Sequence, residues 1–94
     1  MRIPKQFKIS GYTIKIKYKK KLFLNKQECF GLYVSDKKII YLQQRMDPIR
    51  KLEVFIHEFL HAVEDVAAIE LTEEKVNIMA LCFVQLLKTK GVRL

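Results

Sequence analysis

From Tyr12 to Tyr18 apolar residues and lysines alternate, with Ile14, Ile16 and Tyr18 set against Lys15 and Lys17. A period of two belongs to a strand with one dry face and one wet face. The preceding "FKISG" ends in Ser10-Gly11, a pair suited to a tight turn, so the two segments read as the arms of a short hairpin. "KKKLFLNKQE" loses the alternation and reads as a connection. From Cys29, "CFGLYVSDKKIIYL" places two apolar runs around Ser35-Asp36-Lys37, a second hairpin with turn-forming residues at its tip. Three or four strands are expected, all before residue 44.

The period then changes. Asp47 followed by Pro48 is an N-cap with proline at the first helical position. Leu52, Phe55, Ile56, Phe59, Leu60 and Val63 recur at steps of three and four, which predicts a helix over about 48–67. Thr72 opens a second helix, with Glu73 and Glu74 at the positive end of its dipole. Its apolar stripe, Val76, Met79, Ala80, Phe83, Val84 and Leu87, ends near Gly91. Strands first and helices after them predict an α+β fold, a small three- or four-stranded antiparallel or mixed sheet followed by two packed helices.

With 94 residues, half of them apolar, the chain suits a single domain over 1–94 with one two-layered core. A deep cleft between two lobes is excluded. No apolar run approaches the roughly 20 residues of a membrane span, and no secretory pattern opens the chain, so a soluble, cytoplasmic protein is expected. Cys29 and Cys82 lack metal or redox spacing and sit among apolar neighbours, and they read as reduced, buried thiols.

The net charge of +8 is unevenly spread. Residues 1–26 carry nine lysines and arginines and no acid, whereas Glu53 to Glu74 holds seven of the ten carboxylates. The basic end suits weak contact with nucleic acid or an acidic protein. The simpler and favoured reading is a solvated strand whose lysines discourage edge pairing.

The only two histidines, His57 and His61, lie in "VFIHEFLHAVED" on the first helix. A spacing of four puts both rings on one face, where they can converge on one zinc ion. Catalytic zinc needs a third protein ligand, and with no third histidine it must be a carboxylate, Cys29 or Cys82. Asp65 continues the series but lies roughly 12 Å along the axis from position 57, so it is expected as a support or a solvated carboxylate. Glu64 is expected to point toward another face. Glu73, on the face of Val76 and Ala80, is the expected third ligand, and Glu74 is the alternative. Glu58 follows the first histidine, where a carboxylate beside the metal can take a proton as water attacks a carbonyl and pass it to the leaving amine. Peptide hydrolysis is the reaction such an arrangement serves.

At these residues the chain resembles the zincin metallopeptidases with a glutamate third ligand, specifically the catalytic core of the ImmA/IrrE-like family. The likeness runs over about 28–88: the hairpin "GLYVSDKKIIYL", the helix with "HEFLH", and "EEKVNIMA", which is similar to the family's Glu-x-x-Ala-Asn helix start. It implies zinc on His57, His61 and Glu73, Glu58 as base, and cytoplasmic proteolysis of a narrow protein target. Departures are Leu60 in place of a common glycine, a short loop between the helices, and no third histidine to steady the oxyanion. Tyr33, Tyr41, Arg45, a lysine or main-chain donors remain for that role. The expected substrate is a protein or peptide lying along an exposed strand of the second hairpin. The alternative is a non-catalytic zincin-like module that uses its basic surface to hold nucleic acid or an acidic regulatory protein.

Overall fold

Residues 2–89 are described by the computed structural model. In chain order the elements are β1 (Gln6–Ile9), β2 (Tyr12–Lys19), β3 (Leu22–Leu24), β4 (Gln27–Cys29), β5 (Gly31–Val34), β6 (Ile39–Gln43), α1 (Pro48–Ala67) and α2 (Glu73–Lys88). Four strands form one sheet in the order β1-β2-β6-β5, and β3 with β4 forms a separate ribbon. The sheet is mixed: β1/β2 and β5/β6 are antiparallel, whereas β2 and β6 run parallel. The expected α+β architecture is present, with both helices after the strands.

Turn chemistry explains the hairpins. Ser10 (φ 49°) and Gly11 (φ 82°) both take positive φ, which matches the turn to the twist of β1 and β2. The segment 19–28, expected as a plain connection, instead carries most of the β3–β4 ribbon, which ends at Cys29 and is turned by Asn25 (φ 52°) and Lys26 (φ 65°). Three-residue strands are too short to display a period of two, and the turn carries no glycine. Leu22 anchors the ribbon: it is buried, and its N–H donates to Oε1 of buried Gln43 at 3.1 Å.

The pleat sends Ile14, Ile16, Ile40 and Leu42 to one face of the sheet, where they meet Phe55, Ile56 and Leu60 of α1 and Val76, Ala80 and Val84 of α2. Phe7 packs its ring against those of Phe55 and Phe59. Asp47 caps α1 by accepting from Ile49 N (3.0 Å) and Arg50 N (3.3 Å), and Thr72 caps α2 by accepting from Lys75 N (3.1 Å). Between the helices Ala68 is left-handed (φ 54°, ψ 43°), so the chain doubles back and α2 packs on α1. Gly91, the expected end of α2, lies outside the described residues.

The cysteines differ from expectation. Both are free, but Cys29 is half-buried and Cys82 is exposed. Its apolar neighbours Leu81 and Phe83 are themselves exposed, so apolar surroundings in sequence did not translate into burial. No helix among the described residues is long and apolar enough to cross a membrane.

Candidate metal centre

One turn of α1 separates His57 from His61, and their Nε2 atoms stand 3.2 Å apart. The sharp turn at Ala68 brings the first residue of α2 over them. Glu73 places Oε1 2.8 Å from His57 Nε2 and Oε2 3.2 Å from His61 Nε2. One ligand atom from each of the three residues falls within 4.8 Å of the other two. Zinc bonds of about 2.0–2.1 Å at tetrahedral angles set neighbouring ligand atoms about 3.3 Å apart, so the donor set and its spacing fit that ion. Glu74 is exposed and, like Cys29, Cys82 and Asp65, stands outside the cluster.

Glu64 corrects the expectation that it points elsewhere. Its Oε1 lies 2.8 Å from His61 Nδ1, and its Oε2 accepts from Leu71 N at 3.0 Å. A carboxylate only accepts, so the neutral His61 ring carries its proton on Nδ1 and turns the lone pair of Nε2 toward the cluster. The same side chain ties down the loop that delivers Glu73. The signal was present in the spacing, because residues three apart on a helix are neighbours.

Glu58 is buried beside the cluster, 8 % exposed, with Oε2 4.0 Å from His57 Nε2. Its Oε1 accepts from the main-chain N–H of Tyr33 on β5 at 2.9 Å. Burial pushes its carboxyl above the ordinary carboxylate range, opposed by the charges of His57 and His61 and by the Tyr33 N–H. Gly31 permits this closeness: a Cβ there would meet Val54 Cγ1 at 2.5 Å and Glu58 Cγ at 3.1 Å.

Two turns from His57, exposed Asp65 accepts from Tyr33 Oη (2.6 Å) and pairs with Lys38 Nζ (2.8 Å). It therefore fastens β5 and the turn after it to α1. The Lys38 ammonium and the Tyr33 hydroxyl hold its carboxyl at about 2, and burial together with Asp65 pushes the Tyr33 hydroxyl up. Of the candidates for steadying an oxyanion, the Tyr33 hydroxyl is thus engaged by Asp65. Tyr41 pairs with Lys17 on the face of the sheet turned away from the helices, and Arg45 is exposed in the β6–α1 connection.

Two hollows meet at Gly31, His57 and Glu58. One, of about 400 Å³, is walled by Phe30, Val54, Ala80 and Leu81, with Arg50 and Asn77 as polar residues. The other, of about 610 Å³, runs past Tyr33, His61 and Glu73 to Leu24 and Leu32. β5 forms an edge of the sheet between them. Gln43 N donates to Phe30 O, which makes that a bonded pair of the β5/β6 ladder. Alternation then points the main-chain groups of Gly31 and Tyr33 away from β6, toward the open edge. No family model matches this chain, and neither a curated protein nor a solved structure is similar enough to match it.

Proposed function

We propose that this chain is a zinc-dependent metallopeptidase that hydrolyses peptide bonds in a specific cytoplasmic protein partner. The observation that carries the reading is the convergence of His57, His61 and Glu73 with a buried carboxylate, Glu58, at its side. His57, His61 and Glu73 would hold the metal, and Glu64 orients His61. A zinc ion held there would supply a Lewis acid and make water a stronger nucleophile near neutral pH.

Glu58 divides its labour between two oxygens. Oε1 is fixed by the Tyr33 N–H, while Oε2 faces His57 and is the atom that takes a proton from the attacking water and returns it to the departing amine. Burial favours the protonated form of this carboxyl, which assists its second task as an acid. An extended peptide lies along the open edge of β5, with its side chains in the two hollows. With the Tyr33 N–H committed to Glu58, the Gly31 N–H of that edge and the Asn77 amide remain as donors for a developing oxyanion.

Glu58→Gln tests the assignment. The amide keeps the size of the side chain and its bond to Tyr33 but cannot take a proton. Zinc content and stability should stay unchanged, while cleavage of a partner trapped by the variant from cell extract should fall roughly 10²- to 10⁴-fold. Undiminished cleavage at full zinc occupancy would remove Glu58 from the mechanism.

A further inference from the structure

The lysines of β2 acquire a different meaning once the sheet order is known. Lysines that guard against aggregation belong on edge strands, but β2 lies inside the sheet, paired with β1 on one side and β6 on the other. Lys15, Lys17 and Lys19 all project from the face opposite the helices, and the register places Lys8 of β1 on that face as well. Alternate residues of a strand recur about every 6.6 Å, so like charges are stacked closely at a cost in self-repulsion. Among the described residues none of these four lysines has a carboxylate within 4.0 Å.

The same face is not uniformly charged. Leu32 and Val34 of β5 pair with Tyr41 and Ile39 of β6, directly beside the lysine row. Leu32, Val34 and Tyr41 are half-buried, and the Lys19 ammonium lies 5.3 Å from the centre of the Tyr41 ring. That contact sets a cation over one face of the aromatic ring, where it would compete with a stacking nucleic-acid base. An apolar strip flanked by a row of cations is complementary instead to a segment with apolar and acidic residues on adjoining faces.

We propose that the outer face of the sheet is a docking site for an acidic, amphipathic segment of a partner protein. Carboxylates of the segment meet Lys15, Lys17 and Lys19, and its apolar side chains cover Leu32, Val34 and Tyr41. The lysines, Val34 and Tyr41 are on the side of the sheet opposite the histidines, while Leu32, at the edge, also borders the second hollow; docking does not depend on metal or on cleavage. Strand β5 belongs to both regions, with Leu32 and Val34 on the outer face and Gly31 and Tyr33 beside Glu58.

The test compares three labelled probes of equal net charge by fluorescence anisotropy: a peptide combining Glu and Leu in an amphipathic pattern, a polyglutamate peptide, and a single-stranded oligonucleotide. The Glu/Leu peptide should bind at least tenfold more tightly than either other probe, and its affinity should fall as salt rises. Joint replacement of Lys15, Lys17 and Lys19 by Gln, with the circular dichroism spectrum retained, should weaken it at least tenfold. Tighter binding of the oligonucleotide would assign the face to nucleic acid and overturn the proposal. Equal affinity for the two peptides would overturn it too, since that arm needs no variant. So would affinity untouched by the Gln replacements.

Discussion

Glu64 uses both oxygens of one carboxylate, one on His61 Nδ1 and one on Leu71 N. Removing it frees the ring to rotate and loosens the loop ahead of Glu73, so two of the three proposed ligands lose their support together. Glu64→Ala should weaken zinc binding about 10- to 100-fold, as read by competition with a chromogenic chelator. An affinity equal to that of the parent would show that the two ligands are held without it. Asp65, one residue further, acts through charge on a different part of the structure. Its folded pKa of about 2 lies below the ordinary value for aspartate. The stabilisation it contributes is therefore complete above about pH 4, near the unfolded value, and fades as pH falls toward 2. The stability gap between the parent and Asp65→Asn should accordingly narrow between pH 5 and pH 2 in urea titrations. A gap constant over that window would separate Asp65 from Lys38 and Tyr33.

The joint between α1 and α2 sets the ligand geometry. Ala68 adopts a left-handed conformation there (φ 54°, ψ 43°), in which its Cβ crowds the backbone at a cost of about 1–2 kcal/mol. Ala68→Gly relieves that strain but adds chain entropy to the unfolded state, so a net gain of about 0.5–1 kcal/mol is expected in urea unfolding. A loss of stability would mean that the joint depends on the methyl group. The helices and β2 were legible in sequence because each displays its own period over enough residues, and two of the hairpins because turn-forming residues at Ser10-Gly11 and Ser35-Asp36-Lys37 separate apolar segments. α1 runs from Pro48 to Ala67 with Asp47 as its cap, and α2 follows Thr72. The β3–β4 ribbon was not legible, since three residues a side give no period. Parallel pairing of β2 with β6 was not legible either, as alternation in a strand says nothing of its neighbours. At the site, His57 and His61 announce themselves by spacing along one helix. Glu64 lies off the core stripe of α1, and its i+3 relation to His61 is the local signal for the support it gives the ring. The grip of Tyr33 N–H on Glu58 depends on long-range packing and has no sequence signal.

At the scale of the molecule, the sheet divides two chemistries. The helical side holds the histidines and the acids Glu58, Glu64 and Glu73, and the other side presents the lysines of β2. The helical layer is also where a metal would couple to folding, because its ligands come from two helices joined by a short turn. The most direct test of this account is the zinc content of the purified protein, measured by elemental mass spectrometry against protein concentration. Close to one zinc per chain is expected, lost when His57 and His61 are both replaced by alanine while the sheet and helices persist by circular dichroism. Full zinc occupancy in that double variant, or no zinc in the parent protein after exposure to a small excess of the ion, would contradict it.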